Sequence, residues 1–305
     1  MGLDEAALTA SYLEHLSDED LAFLCAPRAA GESSRGDYRR VVRARRGGIE
    51  GFLGDREVFD ALFLAERGAP LLGVSPFLAF AVAVRRVASE LGSTRYVSEW
   101  VSRGRRAPVF DVARLAEFVS GPWRRLFLAE LLASYSRVAS GSVLVATSRG
   151  LRRQRFSELD PVRMAGLLEV VAPAERPGVL RRLGDLALFL TGVFPDYVAR
   201  HGFGPVDQAR LLRAGRPAAN RTGPRQGSAP KPAKVEDSDA VTLLCRLGRR
   251  WYQVASQLLG GQVPANVAVI GELPERFDDA RHVLGVIADR FLFPHRDDWF
   301  TVRSG

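Results

Sequence analysis

Apolar positions recur every three or four residues through most of the chain, and the elements this spacing predicts are helices. In "SPFLAFAVAVRRVASELG", Phe77, Phe80, Ala81, Val84, Val87, Ala88 and Leu91 form one apolar face, widened by Leu78 and Val82. Ser75 suits the N-cap, Pro76 the first turn and Gly92 the stop, so a helix buried on most sides is expected from Pro76 to about Leu91. Ser17, followed by Asp18, Glu19 and Asp20, has the chemistry of another helix start, with acids placed at the positive end of the helix dipole. Asp111 is placed to cap a helix running to about Val119. Pro122 opens a further one, in which Trp123, Leu126, Phe127, Leu131 and Tyr135 recur at helical spacing. Asp160-Pro161 begins one that reaches about Val171.

Two stretches break this period. Tyr96, Ser98 and Trp100 alternate with Val97, Glu99 and Val101, so a short strand competes with a helical turn. In "SGSVLVATSRGLRRQRFS" a β-branched run, a turn-like Ser148-Arg149-Gly150 and an arginine-rich return predict a β-hairpin near 141–157. The expected fold is mainly α: a helical bundle with a small β-hairpin and a C-terminal helical pair after a flexible basic linker.

"RRLGDLALFLTGVFPDYVARHG", residues 181–202, holds the most apolar run of the chain. Its uncharged segment between Asp185 and Asp196 is too short for the roughly 20 residues a bilayer requires. A helix apolar nearly all round belongs inside a bundle or at an oligomer face. Gly184 permits close helix approach, Pro195 stops the helix, and Asp185 is expected to pair with Arg181 one turn earlier. From Gly202 onward Gly, Pro, Ala and basic residues take over, and residues 203–237 are expected to form a disordered linker. Beyond it, Val241, Leu244, Trp251, Val254 and Ala255 predict one amphipathic helix ending at Gly260-Gly261. Phe277, Ala280, Leu284, Ile287 and Phe291 predict another. The expected organisation is a main helical domain at 1–202, the linker at 203–237, and a helical pair at 238–305 packing on the main domain.

Composition changes this picture mainly through charge. The 305 residues are 47% hydrophobic and 26% charged, ordinary for a chain that buries a core, but the formal charge is +8. Lysine occurs only at Lys231 and Lys234, so the positive charge is arginine, a bias that GC-rich coding produces. Whatever its origin, a guanidinium binds phosphate and carboxylate in a two-pronged fork. Arg39, Arg40, Arg43, Arg45 and Arg46 crowd together after Arg35, and on a helix Arg39, Arg43 and Arg46 would share a face. Arg152, Arg153 and Arg155 lie beside Arg149 on the return strand of the hairpin. Arg39, Arg40, Arg43, Arg46, Arg152, Arg153 and Arg155 are therefore the candidate nucleic-acid contacts. Trp100 with Arg103, Arg105 and Arg106 is a candidate ligand site, where an aromatic ring and guanidinia could stack and pair with a nucleotide. A plain solvated basic surface, and for Trp100 a plain core position, are the competing readings.

Catalytic signals are sparse. The chain has four histidines and contains no HExxH, paired CxxC, GxSxG or GxxxxGK[ST] motif. His295 beside Asp297 and Asp298, and the i,i+4 pair Asp278 and His282, are isolated clusters without a third ligand at a known spacing. No metal or cofactor is expected, and an enzyme is the less supported class, although carboxylate chemistry needs neither His nor Cys. Cys25 and Cys245 sit in apolar helical patterns and are expected as free thiols of a cytoplasmic protein. The opening "MGLDEAALTASYLEHLSDEDLAF" has no basic or apolar secretory region.

The segments "LFLAELLASYSRVASG" and "LGDLALFLTGVFPDY" resemble segments of uncharacterised proteins from high-GC bacteria, over most of residues 70–200. The resemblance implies a bacterial cytoplasmic setting and no particular activity. Two expectations about function stand side by side. One is a non-enzymatic regulatory protein that binds DNA or RNA through its arginine clusters. The other is a helical module that binds a nucleotide, a metabolite or an acidic protein, or that pairs with itself as a homodimer. No membrane partner is expected.

Overall fold

Ser17 and Asp20 show how local chemistry sets the helix boundaries. The Ser17 hydroxyl accepts the Asp20 N–H at 3.1 Å, and the Asp20 carboxylate accepts the Ser17 N–H at 3.0 Å, a reciprocal cap on Asp18–Cys25. The other oxygen of Asp20, a fully buried residue, accepts the Ser75 N–H at 2.7 Å. Ser75 in turn caps Pro76–Leu91 through the Leu78 N–H. One buried carboxylate thus joins the starts of two helices.

The computed structural model describes residues 3–26, 37–64, 73–136, 140–147, 150–214, 240–260 and 265–294, with backbone alone at 140–147, 150–156 and 265–267. The fold is mainly α. The helices are α1 (Leu3–His15), α2 (Asp18–Cys25), α3 (Tyr38–Ala44), α4 (Gly48–Leu53), α5 (Arg56–Phe63), α6 (Pro76–Leu91), α7 (Val112–Ser120) and α8 (Pro122–Ser134). They continue with α9 (Pro161–Leu167), α10 (Arg176–Val193), α11 (Pro195–His201), α12 (Pro205–Ala214), α13 (Ala240–Leu259) and α14 (Ala265–Ile287). Strands β1 (Val97–Ser102) and β2 (Arg105–Val109) pair as one hairpin, and β3 (Ser140–Thr147) and β4 (Gly150–Ser157) as another. The second hairpin stands where the β-branched run and its arginine-rich return predict it. The first resolves the competition at Tyr96–Val101 in favour of a strand. Its two-residue turn needs Gly104, whose φ of +67° lies in the left-handed region that glycine tolerates.

The chain divides into two compact units, residues 1–99 with 108–137 and 282–305, and residues 100–107 with 138–281. In the first unit α6 is the central helix. Phe77 to Val84, Val87 and Leu91 are buried, and the helix packs against α4, α5, α7 and α8. Asp111 stands at the N-cap position of α7 but makes no side-chain cap bond.

Charge enters the first unit at Glu50. Its carboxylate forms ion pairs with Arg85 Nε at 3.1 Å and Arg125 Nη2 at 3.0 Å, and Arg125 Nε at 3.1 Å and the Tyr12 hydroxyl at 3.4 Å donate to its other oxygen. Burial first, and the Glu50 charge second, push the Tyr12 phenol well above its ordinary value. At the edge of the same unit His15 and Glu130 pair at 3.0 Å, and the bond to Glu130 raises the His15 pKa above that of a free imidazole. A raised folded-state pKa stabilises fully below the unfolded pKa of about 6.5, and the gain disappears as pH rises through the folded value. Glu130→Gln should therefore lower the melting temperature more at pH 6 than at pH 8.5. Equal losses at the two pH values would show that the pair is not ionic.

In the second unit α10 is enclosed: Leu183 to Val193 are all buried, and α13 packs along it. Two glycines make the crossing possible. A Cβ on Gly184 would come within 2.9 Å of the Tyr252 ring, and one on Gly248 within 2.7 Å of Phe277 and 2.8 Å of Ala187. Asp185 is held as its spacing predicts, 3.8 Å from Arg181, and also accepts a 2.7 Å bond from the buried Tyr252 hydroxyl. Burial raises the pKa of the Cys245 thiol on α13. Both cysteines are buried, and neither is in a disulfide.

The chain departs from expectation at three boundaries. Helix α9 ends at Leu167, not near Val171, and α10 begins at Arg176, ahead of Val179. Helix α12 lies inside the stretch whose composition predicts irregular chain. Pro205 occupies its first turn, Gln208 Nε2 donates to the Phe203 carbonyl at 2.9 Å, and Leu211 and Ala214 are buried. The remainder of the expected linker, 215–237, lies outside the described residues.

Candidate nucleic-acid interface

The first arginine cluster is carried by α3, which Asp37 starts by accepting the Arg40 N–H at 3.0 Å. Arg39 points back to α1 and donates to the Leu13 carbonyl at 3.0 Å and the Leu16 carbonyl at 3.3 Å. It satisfies carbonyls at a helix end that would otherwise lack partners. The helix ends at Ala44, and Arg45 is extended at the C-cap, so Arg46 is not part of a helical face with Arg39 and Arg43. Gly47 and Gly48, both with positive φ, turn the chain into α4 at this point. Arg45 lies over the Phe52 ring at 4.1 Å. Arg40, Arg43 and Arg46 are exposed. Among the described residues none of the three forms an ion pair.

That separates them from many of the arginines described. Arg85 and Arg125 serve Glu50, Arg86 and Arg290 serve Glu90, and Arg124 serves Glu117. Arg182 pairs with Glu158, Arg249 with Asp278 and Arg276 with Asp279. Arginines already neutralised by a carboxylate have little left to offer a phosphate.

The second cluster is on the β3–β4 hairpin. Its register pairs Val145 with Arg152, Leu144 with Arg153 and Ser142 with Arg155. The two-residue period of a strand puts Arg153 and Arg155 at positions on one face of the ribbon and Arg152 on the other. Arg35, Arg149, Arg216, Arg221, Arg225, Lys231 and Lys234 lie outside the described residues.

The third group, on β1 and β2, is the one with the most defined geometry. Trp100 is buried, and its indole N–H donates to Asp196 Oδ1 at 3.0 Å. The Gly104 backbone N–H, at the turn of the hairpin, donates to the same oxygen at 3.0 Å. The Trp100 bond, reinforced by Gly104 and by the charges of Arg106 and Arg200, holds the Asp196 carboxyl below the usual carboxylate range. Arg103, Arg105 and Arg106 are exposed around this pinned turn. Arg103 and Arg105 have no ion pair among the described residues. The exposed ring at this place is Tyr197, next to Asp196, while Trp100 turns inward. Sequence spacing does not point to Asp196 or to Tyr197 beside it, because Asp196 lies 96 residues from Trp100 and 92 from Gly104.

Among the described residues no group of three His, Cys, Asp or Glu side chains is arranged to hold a metal, and no helix is long and apolar enough to cross a membrane. Asp278 pairs with Arg249 and Arg281, whereas His282 reaches Glu99 at 2.5 Å, so the two bond to different partners. His295, Asp297 and Asp298 lie outside the described residues. The fold and its basic surfaces define a mainly α protein with two hairpins and several exposed guanidinium groups. No protein family, no curated protein and no solved structure matches the chain.

Proposed function

We propose that the protein is a non-enzymatic regulatory protein that binds the phosphate backbone of nucleic acid. The observation that carries this reading is that Arg40, Arg43 and Arg46, close together on α3 and just after it, are exposed and form no ion pair among the described residues, as is also true of Arg103 and Arg105 at the β1–β2 turn. Exposed guanidinia without a carboxylate lose little on meeting a phosphate and displace its condensed counterions. Arg40 and Arg43, three residues apart on α3, are surface neighbours at a spacing that lets both contact one backbone.

The test is equilibrium binding of a 20-base-pair duplex followed by fluorescence anisotropy at increasing salt. Affinity is expected to fall by roughly ten-fold or more between 50 and 200 mM salt, in proportion to the phosphates neutralised. Replacing Arg40, Arg43 and Arg46 together by alanine should weaken binding on every sequence alike. No binding at 50 mM salt contradicts the proposal.

A further inference from the structure

Helix α11 and the turn of the β1–β2 hairpin meet at one carboxylate, and the groups around that carboxylate are of two complementary kinds. Asp196 fixes the turn through the Trp100 indole and the Gly104 N–H. Arg103 and Arg105 therefore project from a turn whose backbone is already held, so ordering it on binding costs little. Arg200, one turn along α11, donates through Nε to the Asp196 carbonyl at 3.3 Å. Tyr197, the residue after Asp196, is half exposed, with its ring 4.1 Å from the His201 ring. The His201 Nδ1–H donates to the Tyr197 carbonyl at 2.9 Å, which fixes the imidazole against the phenol.

An exposed aromatic ring braced by a second ring, beside a pinned turn whose Arg103 and Arg105 guanidinia have no ion pair among the described residues, is the arrangement that binds unpaired bases: each base has a π-face for the ring, and each linkage a phosphate for an arginine. A duplex buries its base faces in the stack and offers only the phosphates. We infer that Tyr197, with Arg103 and Arg105, forms a stacking site for single-stranded nucleic acid. This rests on the proposed phosphate-binding function and adds to it a preference for unpaired strands. An acidic peptide would satisfy the arginines but leaves Tyr197 without a purpose, and the exposed ring is what favours the nucleobase.

The experiment measures full-length protein binding to fluorescein-labelled 15-mers of dT and rU and to a 15-base-pair duplex, at fixed low salt. Tyr197→Ala should weaken both single strands by about ten-fold and leave the duplex nearly unchanged, while Tyr197→Phe restores single-strand binding. Arg103→Ala with Arg105→Ala should weaken all three and flatten their salt dependence. The dT and rU arms tell whether the 2′-hydroxyl contributes. If the wild-type protein binds the strands but Tyr197→Ala leaves their affinity unchanged, the stacking site is wrong and the phosphate-binding function stands. Displacement of dT by polyglutamate as readily as by unlabelled dT also overturns it, in favour of an acidic partner. If the protein binds none of the three probes, both readings fall. Tyr197 is exposed, so these variants should keep the wild-type melting temperature, which is measured alongside.

Discussion

Gly248→Val will destabilise the protein by about 3 kcal/mol or more, which for a chain of this size lowers the melting temperature by roughly 6–12 °C. The physical cause is the closeness of the helices around α13. Its Gly248 backbone sits against Ala187 of α10 on one side and the Phe277 ring of α14 on the other, and even a methyl group would overlap both. Interiors packed at this density do not absorb three extra carbons, because the neighbouring side chains already occupy their own rotamer wells. Glycine is normally a poor choice within a helix, by about 1 kcal/mol relative to alanine, so its presence here indicates that close approach outweighs propensity. Gly248→Ala separates the two effects, since it gains propensity and still clashes. Its cost should shrink when Phe277→Leu removes the ring atoms that lie nearest, with a coupling of about 0.5–3 kcal/mol in a double-mutant cycle. A Gly248→Val protein within about 0.5 kcal/mol of wild type would show that the helices do not meet as described.

The second large effect is expected at Glu50. Removing its carboxylate by Glu50→Ala leaves Arg125, only 12% exposed, and the buried Tyr12 hydroxyl without a partner they now share. Leaving a buried charge uncompensated costs about 3–5 kcal/mol, and the lower end fits here because Arg85, a third exposed, can turn to solvent. Arg125 also donates to the Val119 and Ser120 carbonyls at the end of α7, so its own position depends on staying charged and anchored. Glu50→Gln keeps an acceptor oxygen in place and should cost less. The exposed pair Arg56 and Asp60 provides the contrast: Asp60→Ala should change stability by less than about 0.5 kcal/mol, since water screens that pair. Urea denaturation of the three variants checks the order. A Glu50→Ala loss under about 1 kcal/mol would mean that solvent reaches the network.

How much of this was legible in the sequence depends on the range of the interaction. The limits of α6 are readable because Ser75, Pro76 and Gly92 act on their own neighbours, and the residues between them are apolar on most sides of the helix. The enclosed helix α10, its close contact at Gly184 and the Arg181–Asp185 pair are readable for the same reason, because each follows from spacing within one helix. Arg39 is different. Periodicity places it on a face with Arg43 but cannot reveal that it bonds the carbonyls at the end of α1, 23 and 26 residues away. Asp196 is further from reach, since its role is defined by Trp100 and Gly104, 96 and 92 residues away. Helix α12 is hidden for a third reason. Its sequence is polar and proline-led, and only Leu211 and Ala214 reveal the packing that orders it.

The central claim is that the exposed arginines of α3 and of the turn that follows it contact phosphate directly, and the salt dependence of duplex binding tests it most directly. Each arginine that neutralises a phosphate on B-form DNA adds about 0.9 to the slope of log affinity against log salt. Replacing Arg40, Arg43 and Arg46 together by alanine should therefore flatten that slope by roughly 2 to 3 units while the melting temperature stays at the wild-type value. An unchanged slope in a folded triple variant would contradict it.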